Sequence, residues 1–272
     1  MSSSPGVLYA RSVSLALPPA PKTRQPLRVL SAHRRVLNLM DETGRILAVV
    51  APEIGDGPFH IVLEQAISFD FALPGAQAWR QGRALALGDW RLDWSRAHRW
   101  NPALAPANIP ARAWRTLTAC VQESGRFRGR MADVDRAAAR LQRGAALIAQ
   151  GVARAEASAL QQGASLLMGL GPGLTPAGDD YLLGALARLH LDDSLPDPAQ
   201  LGRFIEADAM RTTQLSRAWL LHAAGGRFDA RWHRLRDALA ADDAEAICRA
   251  ARDILSVGAS SGPQALAGLL LT

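Results

Sequence analysis

Lysine is almost absent from this chain: of 31 basic residues only Lys22 is a lysine. The net charge of +6 is carried by arginine, a bias that base composition produces as readily as selection does. No basic block accompanies it. Residues 1–110 hold 12 basic and 8 acidic side chains, and the remainder 19 and 17. The densest cluster, Arg126, Arg128 and Arg130 around Gly125 and Gly129, reads as a solvated loop before it reads as a phosphate-contacting arm. Nucleic acid is therefore not an expected partner. The two cysteines, Cys120 and Cys248, lie far apart with no CxxC, so neither a disulfide framework nor a zinc site is expected. The six histidines are scattered without an HxH or HxxxH pair. No apolar run reaches the ~20 residues that cross a bilayer, and the first residues lack the apolar core of a signal peptide. The expectation is a cytoplasmic protein with no membrane partner. No GxGxxG follows a strand, no nucleophile elbow occurs, and no Ser-His-Asp order is recognisable, which removes a Rossmann cofactor and the common hydrolase layouts.

What is present is enough apolar material for a real core: 272 residues, 49% hydrophobic and 21% charged. The composition changes near residue 105. Before it, short apolar runs alternate with turn residues. Val7 to Leu17 and Leu27 to Met40 read as extended. Asp41-Glu42-Thr43-Gly44 then turns the chain into Arg45 to Ala51. Gly55-Asp56-Gly57-Pro58 is a second tight turn, and Phe59 to Glu64 and Ile67 to Phe71 follow as strands. Ala84 to Leu87 and Trp90 to Trp94 form a small hairpin about Gly88-Asp89. Trp79, Trp90, Trp94 and Trp100 fill and seal the unit. Residues 101–110, with three prolines, read as a linker. Beyond it the periodicity is helical: Ala113 to Glu123, a long alanine-rich stretch from Met131 to about Ser165 broken near Gly144, Gly151 or Gly163, Ala177 to Leu191, Ala199 to Ala224 ended by Gly225-Gly226, Arg231 to Ala241, Asp243 to Ser256, and a last helix after Ser260-Ser261-Gly262. The fold class expected is α+β: a β-rich antiparallel sheet or small barrel over 1–105, then a mainly helical domain over 106–272.

The most informative stretch runs from Leu170 to Gly184. It places Gly171, Gly173, Thr175, Pro176, Gly178, Asp179 and Asp180 at the entry of a helix, where glycine and proline oppose helix and adjacent acids repel. Thr175 fits an N-cap and Pro176 the first helical position. A helix entry of this kind presents amide hydrogens and the positive end of the dipole to phosphate or carboxylate. Asp179 and Asp180 are the candidates for general acid–base work and, beside an anionic ligand, for holding Mg²⁺. No lysine follows the glycines, so this is not a Walker loop. The alternative is a sharp turn between helices whose aspartates complement the dipole.

Two further segments carry the same kind of chemistry. Arg211-Thr212-Thr213, with Ser216 a turn later, sits inside an otherwise regular helical pattern. Arg211 there either grips an anion bidentately or pairs with Asp208 or Glu206 at the surface. Gly258-Ala259-Ser260-Ser261-Gly262-Pro263 repeats the capped, glycine-rich helix entry, with Ser261 as the cap. Convergence of the three segments on one pocket makes Gly171, Gly173, Thr175, Gly178, Arg211, Thr212, Thr213, Ser260 and Ser261 the substrate-binding candidates.

These residues resemble the signature of a bacterial family long described as a domain of unknown function, which includes a subunit of oxamate carbamoyltransferase from anaerobic allantoin breakdown. The similarity rests on the Gly-Pro-Gly-Leu-Thr-Pro-Ala-Gly-Asp-Asp core within 169–184. It also takes in Asp56-Gly57-Pro58, Arg211-Thr212-Thr213 with Leu215-Ser216, and Ser260-Ser261-Gly262. The chain departs from it at Gln264, where the terminal motif is expected to carry an aspartate. The resemblance implies carbamoyl transfer, with oxalurate and phosphate giving oxamate and carbamoyl phosphate, in a complex with two other subunits. It implies a small anionic substrate and partner subunits of a metabolic complex, one of them acyl-CoA-synthetase-like. A non-catalytic ligand-binding or scaffolding subunit is the second reading. A nucleic-acid-binding regulator has only the arginine count behind it.

Overall fold

The computed structural model describes residues 7–124 and 136–272. The arginine cluster at 126–130 and the start of the alanine-rich stretch lie outside the described residues. The chain divides into two compact units, Met1–Pro102 and Ala103–Thr272.

The first unit is a closed barrel. Its strands are β1 (Val7–Ser14), β2 (Gln25–His33), β3 (Val36–Asp41), β4 (Ile46–Val50), β5 (His60–Leu63), β6 (Gln77–Gln81), β7 (Ala84–Leu87), β8 (Trp90–Asp93) and β9 (His98–Trp100). They order as β5-β4-β3-β2-β6-β7-β8-β1, and a β1–β5 ladder closes the ring while β9 adds outside β1. Of the expected alternatives, the barrel is the one formed. The ladders are mixed rather than all antiparallel, because β4–β5, β1–β8 and β1–β9 run parallel. Period-two burial builds the interior: Leu27 and Val29, Leu37 and Leu39, Leu47 and Val49, Ile61 and Leu63 face one core.

Several strand expectations are corrected. Leu27 to Met40 is two strands that turn at Arg34-Arg35, a reversal with no Gly, Pro or Asn to announce it. Ile67 to Phe71 is not a strand. Its residue Phe69 is fully buried, and the backbone there bonds as a turn, Ala72 N–H donating to the Phe69 carbonyl. β6 was not expected. The Gly55–Pro58 turn joins strands that run parallel. Trp94 is buried in the barrel, whereas Trp79, half-buried, lies 4.0 Å beneath the Arg24 guanidinium.

The second unit is helical: α1 (Ala111–Glu123), α2 (Arg136–Arg154), α3 (Ala157–Leu167), α4 (Ala177–Leu191), α5 (Pro198–Asp208), α6 (Gln214–Ala224), α7 (Ala230–Ala240), α8 (Ala244–Leu255) and α9 (Ser261–Leu270). The break between α2 and α3 falls at Ala155, in left-handed backbone, and not at a glycine. The glycines serve packing. A Cβ on Gly144 would lie 2.6 Å from Leu167, and one on Gly151 2.7 Å from Leu160, so both let α3 approach α2 closely. The stretch expected as one helix over 199–224 is α5, a 3-10 turn at Ala209–Arg211, and α6. Thr212 is extended, and Thr213 caps α6 by accepting from the Ser216 amide at 3.1 Å. The β-branched pair that was poor helix material marks a helix boundary. Cys120 and Cys248 form a disulfide, contrary to expectation. α1 packs on α8 and brings their Cα atoms to 5.4 Å.

Candidate functional site

The central contact of the helical unit is α4 on α9. Gly184 of α4 meets the Ala265 carbonyl and Gly268 of α9 meets the Tyr181 carbonyl, each so closely that a side chain there would overlap it. This approach holds the first turn of α9 beside the first turn of α4. The Thr175 and Ser261 hydroxyls share a hydrogen bond of 2.9 Å. The next helix joins the same place: Ser216 of α6 donates to Asp179 Oδ2 at 2.7 Å, and the Thr212 hydroxyl donates to the same oxygen. Gly169 N–H donates to Asp179 Oδ1 at 2.7 Å.

Under this junction lies a cavity of about 130 Å³. At ~30 Å³ per water, it has room for roughly four waters or one molecule of a few heavy atoms. Its polar lining is Thr175, Asp179, Asp180, Ser216, Ser261, Asp229 and Arg231, and its apolar walls include Leu183, Trp219, Trp232 and Val257. Arg231 grips Asp229 with a two-pronged fork, Nε to Oδ1 at 3.0 Å and Nη2 to Oδ2 at 2.6 Å. The Asp229 charge strengthens the guanidinium's hold on its proton.

The two adjacent aspartates differ sharply. Burial holds the Asp179 carboxyl above its ordinary range, and the bonds from Thr212, Gly169 and Ser216 reduce that rise without cancelling it. Asp180 is 8% exposed and its Oδ2 has no partner among the described residues. Burial pushes its carboxyl up to about 8, opposed by a hydrogen bond from Ser261 and reinforced by the charge of Asp179. Asp180 is accordingly a neutral acid around pH 7.

The structure brings Thr175, Asp179, Asp180, Ser216 and Ser261 together, with Thr212 behind Asp179. It places the other expected residues elsewhere. Pro176, not Thr175, occupies the cap position of α4, and Ser260, not Ser261, that of α9; neither makes a side-chain cap bond. Three amides at the start of α4 are already engaged: Gly178 N–H donates to the Leu170 carbonyl, and Asp179 and Asp180 N–H to the Pro176 carbonyl. At α9, Gly262 N–H donates to Val257. The glycine turn explains this. Gly169 and Gly171 in left-handed backbone fold the end of α3 over the start of α4, and Gly178 admits the Leu167 carbonyl at close range. Gly171 and Gly173 are exposed and Gly178 is a packing residue. Arg211 points away: Nη1 donates to Ser165 Oγ at 2.8 Å and to Asp208 at 2.6 Å, the surface pairing of the two alternatives. Thr213 donates to the Leu174 carbonyl at 2.5 Å.

The donor set does not suit Mg²⁺. Asp179 is occupied by three protein donors, and no group of three or more His, Cys, Asp or Glu side chains is placed to hold a metal ion among the described residues. Sequence reasoning missed Asp229 and Arg231, Trp219 and Trp232. The aspartate caps α7 by accepting from the Arg231 amide at 2.8 Å, so the pair reads as an ordinary helix start until the fold carries it to the cavity.

These features define a two-unit protein, a barrel and a helical unit, the latter with a small, mostly apolar cavity that carries a few polar groups beneath a Gly/Pro/Asp-Asp turn. Two family models match it: the AllH family N-terminal domain over residues 14–101, and oxamate carbamoyltransferase subunit AllH over residues 167–272. The chain belongs to this family, as the motif resemblance implied. No solved structure matches it. Among the described residues no helix is long and apolar enough to cross a membrane.

Proposed function

We propose that this chain is a subunit of a carbamoyltransferase that works with other subunits, and that its helical unit binds a small anionic substrate in the cavity between Asp180 and the Asp229–Arg231 fork. The observation that carries the reading is that one small cavity is lined both by Arg231, its guanidinium fixed by a carboxylate, and by Asp180, whose buried Oδ2 has no partner among the described residues. Buried polar groups left unpaired are costly, and a ligand that pairs them recovers that cost. Arginine supplies planar recognition of a carboxylate. The family description supplies the chemistry: oxamate is a carboxylate joined to a primary amide, small enough for about 130 Å³. A phosphate held on the helix entries fits less well, because the Gly178, Asp179, Asp180 and Gly262 amides there already have carbonyl partners. Asp180 is the proposed reacting-group contact. Thr175 and Ser261 orient it, and Asp179 holds the loops with Thr212 and Ser216.

Calorimetric titration of the full chain with oxamate, oxalurate, carbamoyl phosphate and phosphate tests the reading. Oxamate or oxalurate is expected to bind, with at least tenfold loss, about 1.4 kcal/mol, in Arg231→Gln and in the cavity-filling Val257→Trp. Absence of binding by every compound, or unchanged binding in Val257→Trp, removes it.

A further inference from the structure

A buried carboxyl group with one partnerless oxygen is far less costly protonated than ionised. In the protonated form it presents one O–H donor and one C=O acceptor side by side. That pattern is the complement of a primary amide or terminal urea, whose carbonyl accepts the acid's proton while its N–H donates to the acid's carbonyl. A second carboxylate or a phosphate offers only acceptors and meets half of it.

We propose that Asp180 is the residue that clasps the carbamoyl group, –CO–NH₂, of the ligand through this paired arrangement, while Arg231 takes the carboxylate at the ligand's other end. The proposal rests on the cavity being the ligand site and adds the orientation in which the ligand lies. The geometry behind it is local. Asp180 lines the cavity and is 8% exposed, and its buried Oδ2 has no hydrogen-bond partner among the described residues. Beside it, the Ser261 and Thr175 hydroxyls share a hydrogen bond of 2.9 Å on the same cavity wall. The other titratable groups of the cavity are Asp179, Asp229 and Arg231. Asp229 and Arg231 neutralise each other in their fork, and α9 brings no titratable side chain. Asp179 therefore acts with burial to keep the proton on Asp180, up to about pH 8.

The experiment compares three probes on the full chain: oxamate, N,N-dimethyloxamate, which has no N–H, and oxalate, which has only acceptors. Oxamate is expected to bind at least tenfold more tightly than either. Asp180→Asn keeps one donor and one acceptor and is expected to retain oxamate binding to within about threefold, well under 1.4 kcal/mol. Asp180→Ala is expected to lose at least tenfold. Wild-type affinity for oxamate should fall about tenfold per pH unit above pH 8 as the acid ionises, and Asp180→Asn should show no such fall. Equal binding of the three probes, an Asp180→Ala variant that binds like wild type, or identical pH profiles for wild type and Asp180→Asn would overturn the clasp. If Val257→Trp abolishes oxamate binding while both Asp180 variants bind normally, the cavity reading stands and the clasp alone falls. If Val257→Trp binds normally, or if wild type binds no oxamate, both fall.

Discussion

Ser216 donates a 2.7 Å hydrogen bond to Asp179 across 37 positions of sequence, and the bond ties α6 to the first turn of α4. Asp179 accepts from Thr212 and Gly169 as well, so one carboxylate fastens α6, α4 and the turn after α3. Its role in the fold is that of an internal clamp.

Replacing Asp179 by Asn puts an NH₂ against a set of donors and leaves at least one of them buried and unpaired. A loss of about 2–4 kcal/mol in unfolding free energy is expected, measured by urea denaturation with an unchanged m-value. A change under 0.5 kcal/mol would show that the three bonds do not act as a clamp.

The α4–α9 contact depends on two glycines. Gly184→Ala and Gly268→Ala each place a methyl group against a backbone carbonyl that belongs to the facing helix and has no side-chain freedom to yield. Each is expected to cost about 1–3 kcal/mol or more, since overpacked interiors must shift backbone to relieve the overlap. Gly173→Ala meets no neighbouring atom and carries only the strain of its positive φ, so a melting series should rank it as the milder change.

The carboxyl of Asp180 gives stability a defined pH dependence. Its folded value is about 8, against about 3.9 for an unfolded aspartate. Between those two the folded chain holds a proton that the unfolded chain has released, so stability falls as pH rises through that window and levels off above it. Asp179, also raised, acts with the same sign. Asp180→Asn cannot titrate. Its stability relative to wild type should therefore climb from pH 4 to pH 8 and then hold steady, in denaturation curves taken across that range. A difference that stays constant over the window would contradict a buried neutral acid.

The Cys120–Cys248 disulfide closes a separation of 128 residues between α1 and α8. Chain-entropy reasoning assigns about 4–5 kcal/mol to a loop of that size. Reductant is expected to lower the thermal midpoint of the wild type and to leave Cys120→Ser unaffected, with two additional titratable thiols appearing in the reduced wild type. Equal midpoints with and without reductant would count against a formed bond.

The class of the fold was legible because it follows from periodicity. Alternation of period two before residue 100 and helical spacing after 110 need no knowledge of neighbours, and both appear as barrel and helices. α4 was placed to the residue, Ala177–Leu191, because its proline entry and leucine face are local signals. The Arg34-Arg35 reversal, the unexpected β6 and the turn at Phe69 were not legible, since each is held by partners distant in sequence. The meeting of the two glycine-rich helix entries follows the expectation drawn from their like sequences, whereas Arg211 of the third segment pairs with Ser165 and Asp208 instead, and the use of the entry backbone was not legible. Free amides were expected where the folded chain supplies Leu170, Pro176 and Val257 carbonyls.

The sequence by itself determined which residue types stand next to one another: two aspartates after a glycine turn, a hydroxyl pair at a later helix entry, a threonine pair that stops a helix. It could not determine their protonation or their purpose. Those depend on burial and on hydrogen-bond partners supplied by other segments, and both exist only once α4, α6, α7 and α9 have packed. Asp179 and Asp180 are chemically identical along the chain. Three donors reach the first and leave an oxygen of the second bare, so the packed structure makes one a clamp and the other an acid.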